Sequence, residues 1–249
     1  MERNDKKFIT DRYFEVKNLG WVISHRPNNT GIGKTFEDYV GVVENNLAEP
    51  DLAGYEIKSH RSESTSYVTL FTSAPNFPKK ANTILRDKYG TPLAENEELL
   101  ILHTSMFANR YNTYKGNLSF RLKNDRVNRN LLIEVYDNNH NLLDSSVGYT
   151  YESLESKLRD KLKKLFYVSA ERRYVDGHEE FYFNHAEIYT EPSLSKFLDL
   201  VDRGLIMYDI RIGSYKSGRM YGKAHDHGSG FRILEQNIHL LYENREVID

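Results

Sequence analysis

Two carboxylates and an ammonium fall within the run Pro50-Asp51-Leu52-Ala53-Gly54-Tyr55-Glu56-Ile57-Lys58. Residues two apart on a strand share a face, so Glu56 and Lys58 would project together while Ile57 turns to the opposite, buried side. Asp51 arrives from the preceding turn. The two carboxylates with the backbone carbonyl of Ile57 suit one or two Mg²⁺ ions, hard cations that take oxygen ligands at about 2.1 Å and keep several waters. One such water can attack phosphorus. Lys58 would orient it or help deprotonate it, and would offset charge building on the phosphoryl oxygens. Glu37, on the helix expected just before, is a further candidate metal-side carboxylate. A surface hairpin with an ordinary Glu and Lys would present the same letters.

A second run, Gly31-Ile32-Gly33-Lys34-Thr35, opens a helix as a phosphate-binding loop would, but Asn28 stands where the first glycine of G-x-x-x-x-G-K-T belongs. Near the C-terminus, Asp209 and Arg211 share a strand face, and Lys223-Ala224-His225-Asp226-His227-Gly228-Ser229-Gly230-Phe231-Arg232 follows. Two histidines around an aspartate raise the question of a metal, yet no third or fourth ligand is evident for zinc. Base reading fits better. Arg donates to guanine O6 and N7, Asp accepts from cytosine N4, and His does either from a glycine-framed loop. A surface hairpin with satisfied polar groups is the plain alternative.

The charges are unevenly placed. The 249 residues carry 34 Lys and Arg against 36 Asp and Glu, so no global positive field draws the chain to nucleic acid or anionic lipid. Yet positions 37–56 hold six acidic residues and no basic one, while 115–129 and 203–232 each carry a local excess of four positive charges. Solvated faces of either sign would explain one such block. Three opposed blocks fit the charge plan of a metal-dependent nuclease or phosphotransferase. The absence of cysteine excludes disulfides, thiolate metal sites and cysteine nucleophiles. No secretory signal or membrane span is read, which makes a cytoplasmic location the expectation.

Several elements must position these groups. Ile32, Phe36, Tyr39, Val40, Val43 and Leu47 recur at helical spacing, which predicts a helix over 30–47. Strands are expected at 55–59 and 67–73, forming a hairpin, and at 99–103, 117–123 and 131–136. Ser153 should cap a helix with the stripe Leu154, Leu158, Leu162 and Leu165, and a second helix should span 193–203 and stop at Gly204. A strand over 205–212, a glycine-rich loop or ribbon over 213–230 and a last helix over 231–243 complete the reading. The order implies a mixed α/β protein. A boundary is set near 150, with 1–150 mainly catalytic, 151–249 mainly DNA-recognising, and interleaving allowed.

Glu49 to Lys58, the helix with Phe36-Glu37, Tyr208-Asp209-Ile210-Arg211 and His225-Asp226-His227-Gly228 together resemble the MvaI/BcnI restriction endonucleases, relatives of the mismatch-repair nicking enzyme MutH. The resemblance runs through most of the chain. It implies a PD-(D/E)xK core of mixed sheet and helices with a recognition lobe, acting as a monomer with Mg²⁺ on CCWGG duplexes. A cognate DNA methyltransferase would belong to the same system without forming a stable complex. Carried over by position, Asp51, Glu56 and Lys58 are catalytic, and Asp209, Arg211, Lys223, His225, Asp226, His227 and Arg232 are major-groove readers. A MutH-like nicking enzyme, a nucleotide hydrolase and a non-catalytic DNA-binding module are the other functions weighed.

Overall fold

In the computed structural model, residues 2–28, 30–42, 51–62 and 66–248 are described. The first half comprises α1 (Glu2–Asn18), β1 (Trp21–Ile23), α2 (Gly31–Val40), β2 (Glu56–Arg61), β3 (Tyr67–Thr72), α3 (Ala81–Tyr89), β4 (Thr91–Leu93), β5 (Asn96–Met106) and β6 (Ser119–Asp125). Then come β7 (Asn130–Tyr136), β8 (Leu142–Thr150), α4 (Tyr151–Leu162), β9 (Lys164–Val175), β10 (His178–Pro192), α5 (Leu194–Asp202), β11 (Ile206–Ser214), β12 (Ala224–Asp226), β13 (Gly230–Leu234) and β14 (Tyr242–Ile248). The mixed α/β class is as the sequence implies. No described helix is long and apolar enough to cross a membrane.

The chain forms two compact units, one from 1–65, 157–193 and 242–249, the other from 66–156 and 194–241. Each unit is discontinuous in sequence, whereas a single boundary near 150 would have left each continuous. Pairing explains this: β2 lies parallel to β9, and parallel neighbours require a long crossover between them.

In the first unit the sheet runs β1-β10-β9-β2, with β14 also on β10. Alternation puts Ile57, Phe166, Val168, Phe183 and Ile188 on one face, where they pack against Ile9, Tyr13 and Val16 of α1 and Ile32, Phe36 and Val40 of α2. Each such fully buried large side chain contributes roughly 1.5–3 kcal/mol relative to exposure. The long β9–β10 hairpin is absent from the sequence reading, although its signal is present. Asp176 and Gly177 both take positive φ, 49° and 81°, the Asp-Gly turn that matches strand twist.

α2 ends earlier than expected. Gly41 adopts φ 85°, and the Val42 N–H donates to the Glu37 carbonyl at 2.9 Å, a Schellman-type stop after Val40. Val43, Glu44, Leu47, Glu49 and Pro50 lie outside the described residues. The expected 55–59/67–73 hairpin does not form: β2 pairs with β9, and β3 pairs with β13.

In the second unit the main sheet runs β3-β13-β11-β5-β4, with β12 on β11, and β6-β7-β8 forms a separate meander. Phe71, Tyr149, Phe197, Tyr208 and Phe231 make its aromatic core. The helix expected over 231–243 is instead β13, a 3₁₀ segment (Glu235–Leu241) and β14. Phe231 and Ile233 are buried at period two, and β13 has strand partners on both sides, β11 and β3, which override the helical spacing. At α4 it is the Thr150 hydroxyl that accepts the Ser153 N–H, at 3.3 Å; Ser153 lies inside the helix.

Candidate active site

Asp51 and Glu56 are brought together by a tight reversal. Leu52 and Tyr55 exchange backbone hydrogen bonds of 3.1 and 2.8 Å across Ala53 and Gly54, whose φ values are 49° and 76°. Glycine meets that left-handed requirement freely, and Ala53 meets it at some strain. The turn folds Asp51 back onto the start of β2, where its Oδ2 accepts the Ile57 N–H at 2.8 Å. Among the described residues, β2 is an edge strand of its sheet. In a strand the N–H and C=O of one residue leave on the same side. The Ile57 carbonyl therefore emerges on the edge that Asp51 occupies.

Glu56 and Lys58 share a face as predicted, and the Lys58 ammonium donates to Glu56 Oε1 at 2.6 Å. Ile57 turns to the core, 3% exposed. Glu56 is itself buried, and its Oε2 has no hydrogen-bond partner. A buried carboxylate oxygen without a donor is costly and favours a cation beside it. The donor set therefore fits a hard divalent ion: Glu56, Asp51 and the Ile57 carbonyl, all oxygen.

Lys58 and Ile57 also line a cavity of about 280 Å³ with Arg26, Gly33, Lys34 and Glu37 of the α2 region. Glu37 thus faces the same cavity as Lys58. Among the described residues, however, Glu37, Asp51 and Glu56 do not gather into a three-acid metal cluster, and neither do His225, Asp226 and His227 with any neighbour. The phosphate-loop reading of 31–35 finds no support in the side chains. Thr35 is fully buried, donating to the Gly31 carbonyl at 2.8 Å, and Lys34 pairs with Asp38 at 2.8 Å. Hydrogen bonds from Lys34 and then His25 hold the Asp38 carboxyl below its usual value.

The second unit carries the C-terminal candidates on β11, β12 and β13 and on the turns that flank β12. Asp209 is buried and binds two arginines through Oδ2, Arg211 Nε at 2.6 Å and Arg232 Nε at 2.9 Å, while Oδ1 accepts from Ser105 at 2.9 Å. Arg211 is half exposed and Arg232 largely buried. His225 stacks on Tyr215 at 4.2 Å and lies 4.1 Å from His227, between ring centroids. Asp226 Oδ1 accepts the N–H groups of Gly228 and Ser229, and Lys223 is exposed ahead of β12. The sequence reading missed His103 and Ser105, the β5 cross-strand partners of Arg211 and Asp209. Burial first, then His227 and Arg211, hold the His103 imidazole below its ordinary value. The basic block at 115–129 is partly neutralised within its unit, where Arg126 pairs with Asp202 and Arg129 with Glu152.

The profile of the MvaI/BcnI restriction endonuclease family matches residues 11–242. A solved structure of the restriction endonuclease MvaI with its cognate DNA substrate is similar over 98% of both chains, at 34% identity and TM-score 0.86. MvaI in the absence of DNA is similar over 98% of this chain and 97% of that one, at 35% identity and TM-score 0.67. Comparison with curated protein sequences gives no match. The likeness thus reaches well beyond the acidic motif, through a restriction-endonuclease-like fold and nearly the whole chain, at an identity that makes MvaI a relative. The chain belongs to the MvaI/BcnI restriction endonuclease family and is a type II site-specific deoxyribonuclease.

Proposed function

We propose that the protein cleaves double-stranded DNA at CCWGG with Mg²⁺, as a monomer that nicks one strand at a time. The observation that carries the chemistry is Glu56: one carboxylate oxygen bound by Lys58, the other buried with no hydrogen-bond partner. Asp51, Glu56 and the Ile57 carbonyl would hold the ion, with Glu37 at the cavity wall. A divalent ion there supplies Lewis-acid charge to a phosphodiester. Lys58, steadied by Glu56, would donate to a non-bridging phosphoryl oxygen and orient the attacking water, whose oxygen would bond to phosphorus as one ester P–O bond breaks, the water giving up a proton and the departing ester oxygen taking one up. The first unit is then the catalytic lobe.

The second unit would read the bases. Arg211 and Arg232, both paired with Asp209, would donate to guanine, with His225 and Asp226 on β12, His227 just after it and Lys223 just before it. The DNA-bound MvaI relative supports a duplex substrate. A monomer has one active centre, so a nearly palindromic site must be cut in two binding orientations. The test is incubation of the purified protein with supercoiled plasmid and Mg²⁺ under single-turnover conditions, followed by mapping of the ends. An open-circular intermediate and ends at CCWGG are expected. Direct linearisation by one bound enzyme would exclude sequential nicking, and ends elsewhere would exclude the sequence.

A further inference from the structure

One helix holds the proposed reading face in place. Asn82 and Arg86 are four apart on α3 and share a helical face, and both are buried. Asn82 Nδ2 donates to Asp226 Oδ2 at 2.6 Å. At the other end of the amide, the Tyr208 hydroxyl donates to Asn82 Oδ1 at 3.3 Å. A donor on the oxygen leaves the NH₂ turned toward the carboxylate, so Tyr208 fixes which end of the amide faces Asp226. Burial pushes the Tyr208 phenol well up, which keeps it a donor.

Arg86 Nη1 donates to the Gly213 carbonyl at 2.8 Å and to Ser214 Oγ at 3.2 Å. Those two residues end β11 and register with His225 and Ala224 of β12. Asp226 completes the arrangement, since Oδ1 accepts from Gly228 N at 3.0 Å and Ser229 N at 2.7 Å. A carboxylate offers about four acceptor positions. The protein fills three of them and leaves one direction for an incoming donor.

Building on the reading that this face contacts DNA, we propose that Asn82 is a specificity-determining positioning residue: it aims the Asp226 carboxylate and the His225–His227 turn without itself touching DNA. Arg86 anchors the strand end on which β12 is seated. Loss of the amide donor leaves Oδ2 without its protein partner while Gly228 and Ser229 still hold Oδ1, so Oδ2 is no longer fixed toward one direction and wrong base pairs are penalised less, while the chemistry at Lys58 is untouched.

The experiment uses the full chain, Mg²⁺ and two duplexes, one carrying the site mapped for the wild-type protein and one with a single base pair in that site replaced. The readout is the ratio of kcat/KM on the two, alongside the melting temperature without DNA. Asn82→Ala should lower the ratio at least tenfold at every pH. Asn82→Asp sets a second carboxylate against Asp226. At pH 8 its ratio should fall as far, and it should recover toward pH 6, relative to wild type at the same pH. Two adjoining carboxyls raise one another's pKa, and the protonated group is again a donor. Tyr208→Phe, which deletes one hydroxyl, should give a smaller loss of about threefold if Asn82 variants fold poorly. Folded variants with the wild-type ratio overturn the inference alone. Wild-type protein that cuts neither duplex overturns the functional reading and this inference with it.

Discussion

Lys58 Nζ sits 2.6 Å from Glu56 Oε1, two residues back on the same face of an edge strand, and the second oxygen of that carboxylate is buried with no hydrogen-bond partner. On the proposed reading, Glu56 would hold the ion and Lys58 would meet the phosphate. The pair's value to catalysis could then be separated from its value to binding, because one partner would be a ligand and the other would not.

Lys58→Ala should retain specific DNA binding and lose cleavage by about 10²–10³-fold, the range for removal of one preorganised transition-state donor. Single-turnover plasmid cleavage, with a gel-shift in Ca²⁺ for binding, checks both halves. Unchanged cleavage would take Lys58 out of the mechanism.

Asp51 would have two duties on the proposed reading, because beside the ion its Oδ2 accepts the Ile57 N–H. Asp51→Ala should therefore cost about 1–3 kcal/mol of stability for the lost acceptor, while Asp51→Asn keeps an acceptor and costs less. Both should abolish Mg²⁺-dependent turnover and weaken Mn²⁺ binding by calorimetry. An Asp51→Asn protein with wild-type turnover would remove Asp51 from the metal set.

Arg211 and Arg232 share Asp209 but differ in burial, so their variants should differ. Arg211→Ala should weaken specific binding by about 1–3 kcal/mol with little effect on a urea melt. Asp209→Ala leaves the largely buried Arg232 without its carboxylate and should cost about 3–5 kcal/mol in the same melt. Equal loss of affinity on random and specific DNA in Arg211→Ala would make that residue a phosphate contact.

His103 adds an acid-side pH dependence. Burial and then His227 and Arg211 lower its folded-state pKa, with Asp209 and Asp226 acting in the other direction. Between the ordinary value near 6.5 and the lower folded value, the unfolded chain binds more protons than the folded one. Stability is thus unaffected by this group above that window and falls as pH drops through it. His103→Gln should flatten the fall, read as melting temperature against pH from 7.5 to 5; an unaltered slope would rule His103 out as its source.

Much of the site was legible because it is local. Asp51, Glu56 and Lys58 lie within one turn and one strand, where period-two alternation and a Gly-containing reversal set the geometry without reference to the rest of the chain. The Asp209–Arg211 pair is legible for the same reason. The Asp176-Gly177 turn was equally local and went unread, and it announces the longest hairpin of the first unit.

The sequence by itself determined the charge plan, the shared face of Glu56 and Lys58, the mixed α/β class and the resemblance carried by spaced motifs. Tertiary structure alone decided that β2 lies beside β9 and away from β3, that 230–234 is a strand, and that Asn82 reaches Asp226 across 144 positions. Those outcomes depend on which distant segments share backbone hydrogen bonds and bury apolar faces together. Periodicity specifies a face, but the partner that covers it is chosen only when the whole chain folds.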